Sequence, residues 1–133
     1  MAETTAFELV SPERLLVSKD VEMVVVPGAE GYFGVLPRHA PMISTLNAGV
    51  IDIHQGGQVE ERIFIAGGFA EVTENRCTVL AEEAVPVGEI DPAAVNQEIA
   101  NLSDELKDSA GGPETARLSQ RIQMLEAKAA AAA

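Results

Sequence analysis

The hydrophobic pattern of this 133-residue chain changes its period once, near residue 87. Before that point, short runs of Val, Ile and Leu alternate with turn signals, as where the run at residues 21–26 stops at Pro27-Gly28. Many short strands separated by turns are typical of a β-sandwich or a flattened barrel. After that point, apolar residues recur every three or four positions, which is the period of an amphipathic helix. We therefore predict a β-sandwich domain at residues 1–87 and a helical domain at residues 88–133.

The helical domain has two apolar stripes with a turn between them. Asp91-Pro92 is a helix-start pair, and Gly111-Gly112-Pro113 ends one helix and starts the next. The stripes consist of Val95, Ile99, Leu102 and Leu106, followed by Leu118, Ile122, Leu125 and Ala129. We predict an antiparallel hairpin with helices at about residues 91–109 and 113–130. Because each stripe is narrow, the hairpin must lean on the β-domain, on a partner, or on each in turn.

The composition excludes several classes of function. A net charge of −12 argues against a nucleic-acid binder, which needs a basic face, and against unaided docking on anionic lipid. The same charge permits docking on a basic protein partner. Cys77 is the only cysteine, so we expect no disulfide and no cysteine-based metal site, and a buried thiol. No apolar run approaches a membrane span, and the chain is expected to be soluble and intracellular.

The 28–41 segment combines three glycines, two prolines, an aromatic pair and an Arg-His pair. Glycine permits backbone angles that other residues avoid, whereas proline restricts them. We predict a well-defined loop that displays four side chains, those of Glu30, Tyr32, Arg38 and His39. A loop with this much backbone control is typical of a contact site.

No catalytic or metal site is predicted. The two histidines, His39 and His54, are not in a metal-ligating spacing, and His54 is read as the start of a polar turn. The chain has no P-loop, no nucleophile elbow and no dinucleotide fingerprint. Gly67-Gly68 indicates a bulge or a close backbone approach, to which another polypeptide could contribute. A binding or coupling role is therefore favoured over catalysis.

Three ordered motifs carry a family resemblance: Gly28-x-Glu30-Gly31-x-x-Gly34-x-x-Pro37-x-His39-Ala40-Pro41, then Leu46-x-x-Gly49-x-Ile51, then Gly67-Gly68-Phe69-x-Glu71-Val72. Together they resemble the epsilon subunits of bacterial F-type ATP synthases, the counterparts of the mitochondrial delta subunit. The resemblance implies a ten-stranded β-sandwich followed by two helices. It also implies a non-catalytic central-stalk subunit that turns with the gamma subunit and the c-subunit ring, peripheral to the cytoplasmic face of the bacterial inner membrane, with no direct membrane insertion.

The resemblance also assigns contact residues. Contacts with the c ring and gamma would fall on Glu30, Gly31, Tyr32, Arg38, His39 and Ser44. In relatives whose hairpin extends, basic residues on its second helix engage the alpha/beta catalytic head and block ATP hydrolysis. The matching residues here are Arg117, Arg121 and Lys128, and because they are few and the helix is short, we expect weak inhibition.

The hairpin departs from the family at an ATP-binding motif. Some relatives bind ATP through Ile-Asp-x-x-Arg-Ala, and this chain has Ile90 and Asp91 but Ala94 in place of the arginine. Loss of that cation removes a partner for phosphate, so we expect weak or absent ATP binding and no other cofactor. Two alternatives stay open from the residues alone: a stand-alone β-sandwich binding module whose ligand site is the 28–41 segment, and a small enzyme using His39 and Glu30.

Overall fold

The computed structural model describes residues 3–133, which form ten strands, one 3-10 turn and two α-helices. The described chain divides into two compact units, one ending at Pro86 and the other beginning at Val87. The strands are β1 (Thr5–Val10), β2 (Leu15–Val21), β3 (Met23–Gly28), β4 (Gly31–Val35), β5 (Met42–Leu46), β6 (Gly49–Gln55), β7 (Gln58–Ile65), β8 (Gly68–Val72), β9 (Arg76–Ala81) and β10 (Ala84–Pro86). This ten-stranded unit, followed by two helices, confirms the predicted fold class.

The strands form one sheet that folds over into two layers. Its order is β10-β7-β6-β3-β5-β8-β9-β1-β2, and β4 pairs with β3 beside this path. The ladder crosses between the layers at one residue pair, Gly28 with Leu46. Every pairing is antiparallel except that of β1 with β9, which is parallel. Strand β1 therefore adds to the layer that contains β5, β8 and β9.

The sandwich core follows from the alternation of each strand. In β1, Phe7 and Leu9 are fully buried while Glu8 between them is not. The same period buries Val24, Val26, Ile51, Ile53, Val72 and Val79. Cys77 is also fully buried, as predicted, and burial raises the pKa of its thiol to about 12. Each fully buried aliphatic side chain contributes about 1.5–3 kcal/mol, so this interior dominates the stability of the unit.

A charged cluster around Lys19 connects β2, at one end of the sheet, with β7, the strand next to the other end. Its Nζ lies 2.6 Å from Glu60 and 2.5 Å from Glu61, so β2 contacts β7 although the two strands are not paired. Gln55 of β6 also donates to the Asp20 carbonyl at 2.7 Å. The hydrogen bond with Glu60, followed by that with Glu61, raises the pKa of Lys19. No local pattern in the sequence predicts this cluster, because its members lie about forty residues apart.

The helical unit contains a 3-10 turn (Val87–Glu89), α1 (Pro92–Asp108) and α2 (Pro113–Ala132). The Asp91 carboxylate caps α1 by accepting from the backbone N–H groups of Ala93 and Ala94 at 3.1 and 3.3 Å. Ser109 and Thr115 hydroxyls lie 2.6 Å apart across the turn between the helices. In residues 3–133, neither helix combines the length and apolar content that a membrane span requires.

Two local expectations were wrong. The first half of the 28–41 segment is not a loop, because β3 continues to Gly28 and β4 returns as its antiparallel partner. Phe33 is partly buried and Val35 is buried, which is the alternation of a strand. The neighbouring glycines made this strand difficult to recognise in the sequence. His54 lies in β6, so the expected turn begins two residues later, at Gly56 and Gly57, whose φ angles are +61° and +76°.

Candidate functional site

The tip of the β3–β4 hairpin is held against the neighbouring strand β5. The Ala29 N–H donates to the Thr45 carbonyl at 2.9 Å, and the Asn47 N–H donates to the Pro27 carbonyl at 2.8 Å. The Asn47 side chain adds a longer contact to the Gly28 carbonyl at 3.4 Å. Glu30, which is exposed at this tip, is therefore displayed on a backbone fixed by several hydrogen bonds.

Glycine is required at two positions of the tip, for two different physical reasons. Gly31 has a φ of +132°, which side chains other than that of glycine rarely allow. Gly28 is instead required for space, because a Cβ there would lie 2.8 Å from both the Gly31 carbonyl oxygen and the Phe33 ring. Only Gly31 has the unusual backbone angle that was predicted for glycines of this segment.

Tyr32 is anchored at one end and exposed along the rest of its ring. Its hydroxyl accepts from the Val50 N–H at 3.2 Å, while 61% of the residue remains exposed. A Cβ on Gly49 would lie 2.5 Å from this hydroxyl, which explains why the motif has glycine there. Tyr32 thus presents a fixed apolar ring whose polar end is already satisfied.

Arg38 and His39 lie on the loop between β4 and β5. Arg38 has a φ of +65°, its N–H donates to the Glu74 carbonyl at 2.7 Å, and its guanidinium pairs with Glu3. The hydrogen bond with Glu3 raises the pKa of Arg38. His39 donates from Nδ1 to the Ala40 carbonyl at 2.7 Å, and its ring centroid lies 6.4 Å from that of Phe33. This loop is pinned to the β8–β9 turn as well as to β4.

The structure brings only part of the predicted contact set together. Glu30, Gly31 and Ser44 line one groove, whose other lining includes Phe33 and Ile43. His39 approaches this groove through its ring contact with Phe33. Tyr32 is bonded to the start of β6, and Arg38 lies at the β8–β9 turn, so neither belongs to the groove.

The outside of β5, β8 and β9 carries an apolar surface that was not predicted from the sequence. We call it the outer apolar face and define it by Ile43, Phe69, Glu71, Thr78 and Leu80, which line one shallow depression. Ile43, Phe69 and Leu80 are 74%, 55% and 54% exposed. A cluster of large exposed apolar side chains is unusual on a soluble surface and typically marks a contact with another protein.

Strand register assembles this face. Phe69 pairs directly with Leu80, and Ile43 pairs with Glu71, which in turn pairs with Thr78. Phe69 and Glu71 are two positions apart on one strand, so the acidic Glu71 was a sequence signal that this side of β8 points outward. Gly68 allows the strands to meet, since a Cβ there would lie 2.0 Å from the Leu80 carbonyl oxygen. The close approach predicted at Gly67-Gly68 is thus made to this chain's own β9.

The groove and the outer apolar face are continuous, because Ile43 lines both of them.

The predicted site residues of the helical hairpin lie at the start of α1 and along α2. Ile90 is buried, the Asp91 carboxylate is engaged in capping α1, and Ala94 is exposed. On α2, spacings of four and seven put three basic residues on one side of the helix. These residues are Arg117, Arg121 and Lys128, of which Arg121 pairs with Glu98 of α1 at 3.3 Å.

Comparison with known proteins places the chain in a family. The beta-sandwich domain of the ATP synthase delta/epsilon chain matches residues 4–87. The ATP synthase epsilon chain of Rhodospirillum rubrum is 55% identical over 131 residues, which are 98% of each chain. That of Paramagnetospirillum magneticum is 53% identical over the full length of both chains.

Two solved structures share the fold. A chain of the Euglena gracilis mitochondrial ATP synthase (OSCP/F1/c-ring) superposes with a TM-score of 0.82 at 23% identity, covering 96% of this chain and 81% of that one. A chain of the Tetrahymena thermophila mitochondrial ATP synthase central stalk and c ring gives 0.65 at 12% identity, covering 98% of each. These two structures show the shared fold, and the match to the family's beta-sandwich domain together with the relatives of 55% and 53% identity establishes that the chain belongs to the ATP synthase epsilon chain family.

Proposed function

We propose that this chain is the non-catalytic central-stalk subunit of an F-type ATP synthase, coupling rotation of the c-subunit ring through gamma to ATP synthesis in the catalytic head. The single observation that carries the proposal is the outer apolar face of a chain belonging to this family. Three large side chains on it are more than half exposed. Covering them with a partner removes apolar area from water, which is favourable by about 25 cal/mol per Å².

The outer apolar face is assigned to gamma in this proposal, and the groove beside the hairpin tip to the c ring. The groove suits polar loops, because it combines the Glu30 carboxylate, the Ser44 hydroxyl and the Phe33 ring. Since Ile43 belongs to both surfaces, gamma and the ring would contact adjoining parts of one rigid unit. A joint that transmits torque needs such preorganised backbone, because ordering flexible loops on contact weakens binding.

The location follows from the proposed assembly. The subunit lies at the cytoplasmic face of the bacterial inner membrane as a peripheral part of the complex. The bacterial origin of the similar epsilon chains supports this placement.

The helical hairpin is proposed to bind ATP weakly or not at all. The Asp91 carboxylate is already used by two backbone N–H groups of α1, and Ala94 supplies no cation. Calorimetric titration of the purified chain with ATP is the test, and micromolar binding would refute the proposal.

The hairpin is also proposed to inhibit ATP hydrolysis only weakly, by reaching the alpha/beta head when extended. Arg121, one of the three basic residues available for that contact, already pairs with Glu98. Deleting residues from Asp91 onward should leave hydrolysis by the assembled complex nearly unchanged. A several-fold rise in hydrolysis on deletion would contradict this part of the proposal.

The docking proposal is tested by placing a charge on the outer apolar face. Phe69→Asp should abolish co-purification with the membrane-bound ATPase, because an unpaired carboxylate would be buried at the contact. Val59→Asp is the matched control, since Val59 is 43% exposed but lies on β7, outside the face. Equal co-purification of the two variants, both folded by circular dichroism, would exclude this face as the contact.

A further inference from the structure

Glu71 is an acidic residue within the outer apolar face. Strand register places it between Ile43 of β5 and Thr78 of β9, and Phe69 lies two positions earlier on its own strand. Within the part of the chain that the structure describes, the Glu71 carboxylate has no ion pair or hydrogen bond. A carboxylate among apolar side chains is stable there only while water reaches it.

The neighbouring charges of the same layer do not supply a partner. Arg76, at the start of β9, pairs with Glu8 of β1 at 3.7 Å. Thr78, directly opposite Glu71, is neutral. A protein that covers the face therefore has to replace the water around the carboxylate, because burying an unpaired charge is strongly unfavourable.

We propose that the surface of gamma that docks on the outer apolar face presents a lysine or arginine side chain to Glu71. This inference rests on the proposed function, which assigns gamma to the face. Charge complementarity supports a cation over a neutral donor, since the chain carries a net charge of −12 and a basic partner surface is attracted to it. The apolar residues supply contact area, and the ion pair sets the register of the two surfaces and discriminates against partners without the cation.

The experiment measures the affinity of the full-length chain for the matching alpha/beta/gamma complex from which this subunit has been removed. Glu71→Gln keeps the size and one acceptor oxygen of the side chain, but it replaces the other oxygen with an NH2 donor and removes the charge. It should weaken binding by at least about tenfold and reduce the dependence of affinity on salt, because a buried cation on gamma loses its counter-charge. Glu71→Lys should weaken binding further, through repulsion between like charges.

Glu60→Gln is the matched control, because it removes the same charge from an exposed position on β7 outside the face. Its affinity should stay within about twofold of wild type. Loss of binding by Phe69→Asp together with unchanged binding by Glu71→Gln would overturn the ion-pair inference and leave the docking proposal intact. Unchanged binding by Phe69→Asp would overturn the docking proposal and this inference with it.

Discussion

The sandwich and the helical hairpin differ in how completely their apolar residues are buried. In the sandwich, residues such as Phe7, Ile51 and Ile53 are fully inaccessible. In the hairpin, Val95 and Leu125 are buried, but the remaining residues of both stripes are only half-buried. A short helix pair with so small an interior gains little from its own packing. The sandwich is therefore expected to fold as a stable unit, whereas the hairpin should be the easier part to unfold.

Among the variants that test this comparison, Phe7→Ala should cause the largest loss of stability. Phe7 is fully buried in β1, so its removal leaves a cavity and should lower the free energy of unfolding of the sandwich by about 3–5 kcal/mol. Chemical denaturation gives this value, and Val59→Ala on the exposed side of β7 is the control. A loss for Phe7→Ala no greater than that of the control would mean that the β1 interior is not a determinant of stability.

Leu125→Ala tests whether the two units unfold independently. Removing the fully buried side chain of α2 should destabilise the hairpin by about 2 kcal/mol or more, which is enough to reduce its helical circular dichroism. The buried Cys77 reports on the sandwich independently, because a protonated thiol is unreactive until the strands open. Its labelling rate should not change in this variant. Faster labelling would show that the two units unfold together.

Asp91→Ala should weaken only the start of α1. The variant leaves the N–H groups of Ala93 and Ala94 without their acceptor, at a cost of about 1 kcal/mol in hairpin stability. Thermal melting followed at a helical wavelength measures the loss. Asp91→Asn should restore most of it, and a failure of asparagine to do so would argue that the capping bond is not what Asp91 contributes.

Lys19→Met should have the smallest effect, on the sandwich alone. Because the two ion pairs are exposed, the loss at about pH 8 should be under about 1 kcal/mol. The folded state raises the pKa of Lys19 above 10.5, so its stabilisation is complete below pH 10.5 and disappears as pH rises through the folded-state value. Denaturation of both proteins across this range should show the difference closing. A difference that persists at the highest pH would assign it to packing of the lysine stem.

Sequence reasoning succeeded where the signal was local. Asp91-Pro92 and Gly111-Gly112-Pro113 marked the helix ends closely, since α1 begins at Pro92 and α2 at Pro113. It failed for β4, because Gly31 and Gly34 flank the aromatic pair and glycine is a poor indicator of strands. It also did not identify Arg38 as the residue with a positive φ on the following loop.

The candidate site was only partly predictable for a related reason. The residues of the 28–41 segment were identified together because they are consecutive, yet the structure bonds them to different neighbours. The backbone of Ala29 bonds to β5, the Tyr32 hydroxyl bonds to β6, and the backbone of Arg38 bonds to the β8–β9 turn. The assignment of all six contact residues to gamma or the c ring remains a prediction. Ser44 shares the groove with Glu30, a proximity that no local pattern in the chain indicated.

By itself, the sequence determined the order of a β-domain and a helical hairpin, the helix caps and the family, because these depend on periodicity and on residues close in the chain. Tertiary structure alone decided that Ile43, Phe69 and Leu80 form one exposed face and that Lys19 joins β2 to β7. Pairing between strands far apart in sequence sets both arrangements. A shift of one residue in that register would turn every affected side chain to the opposite side of the sheet.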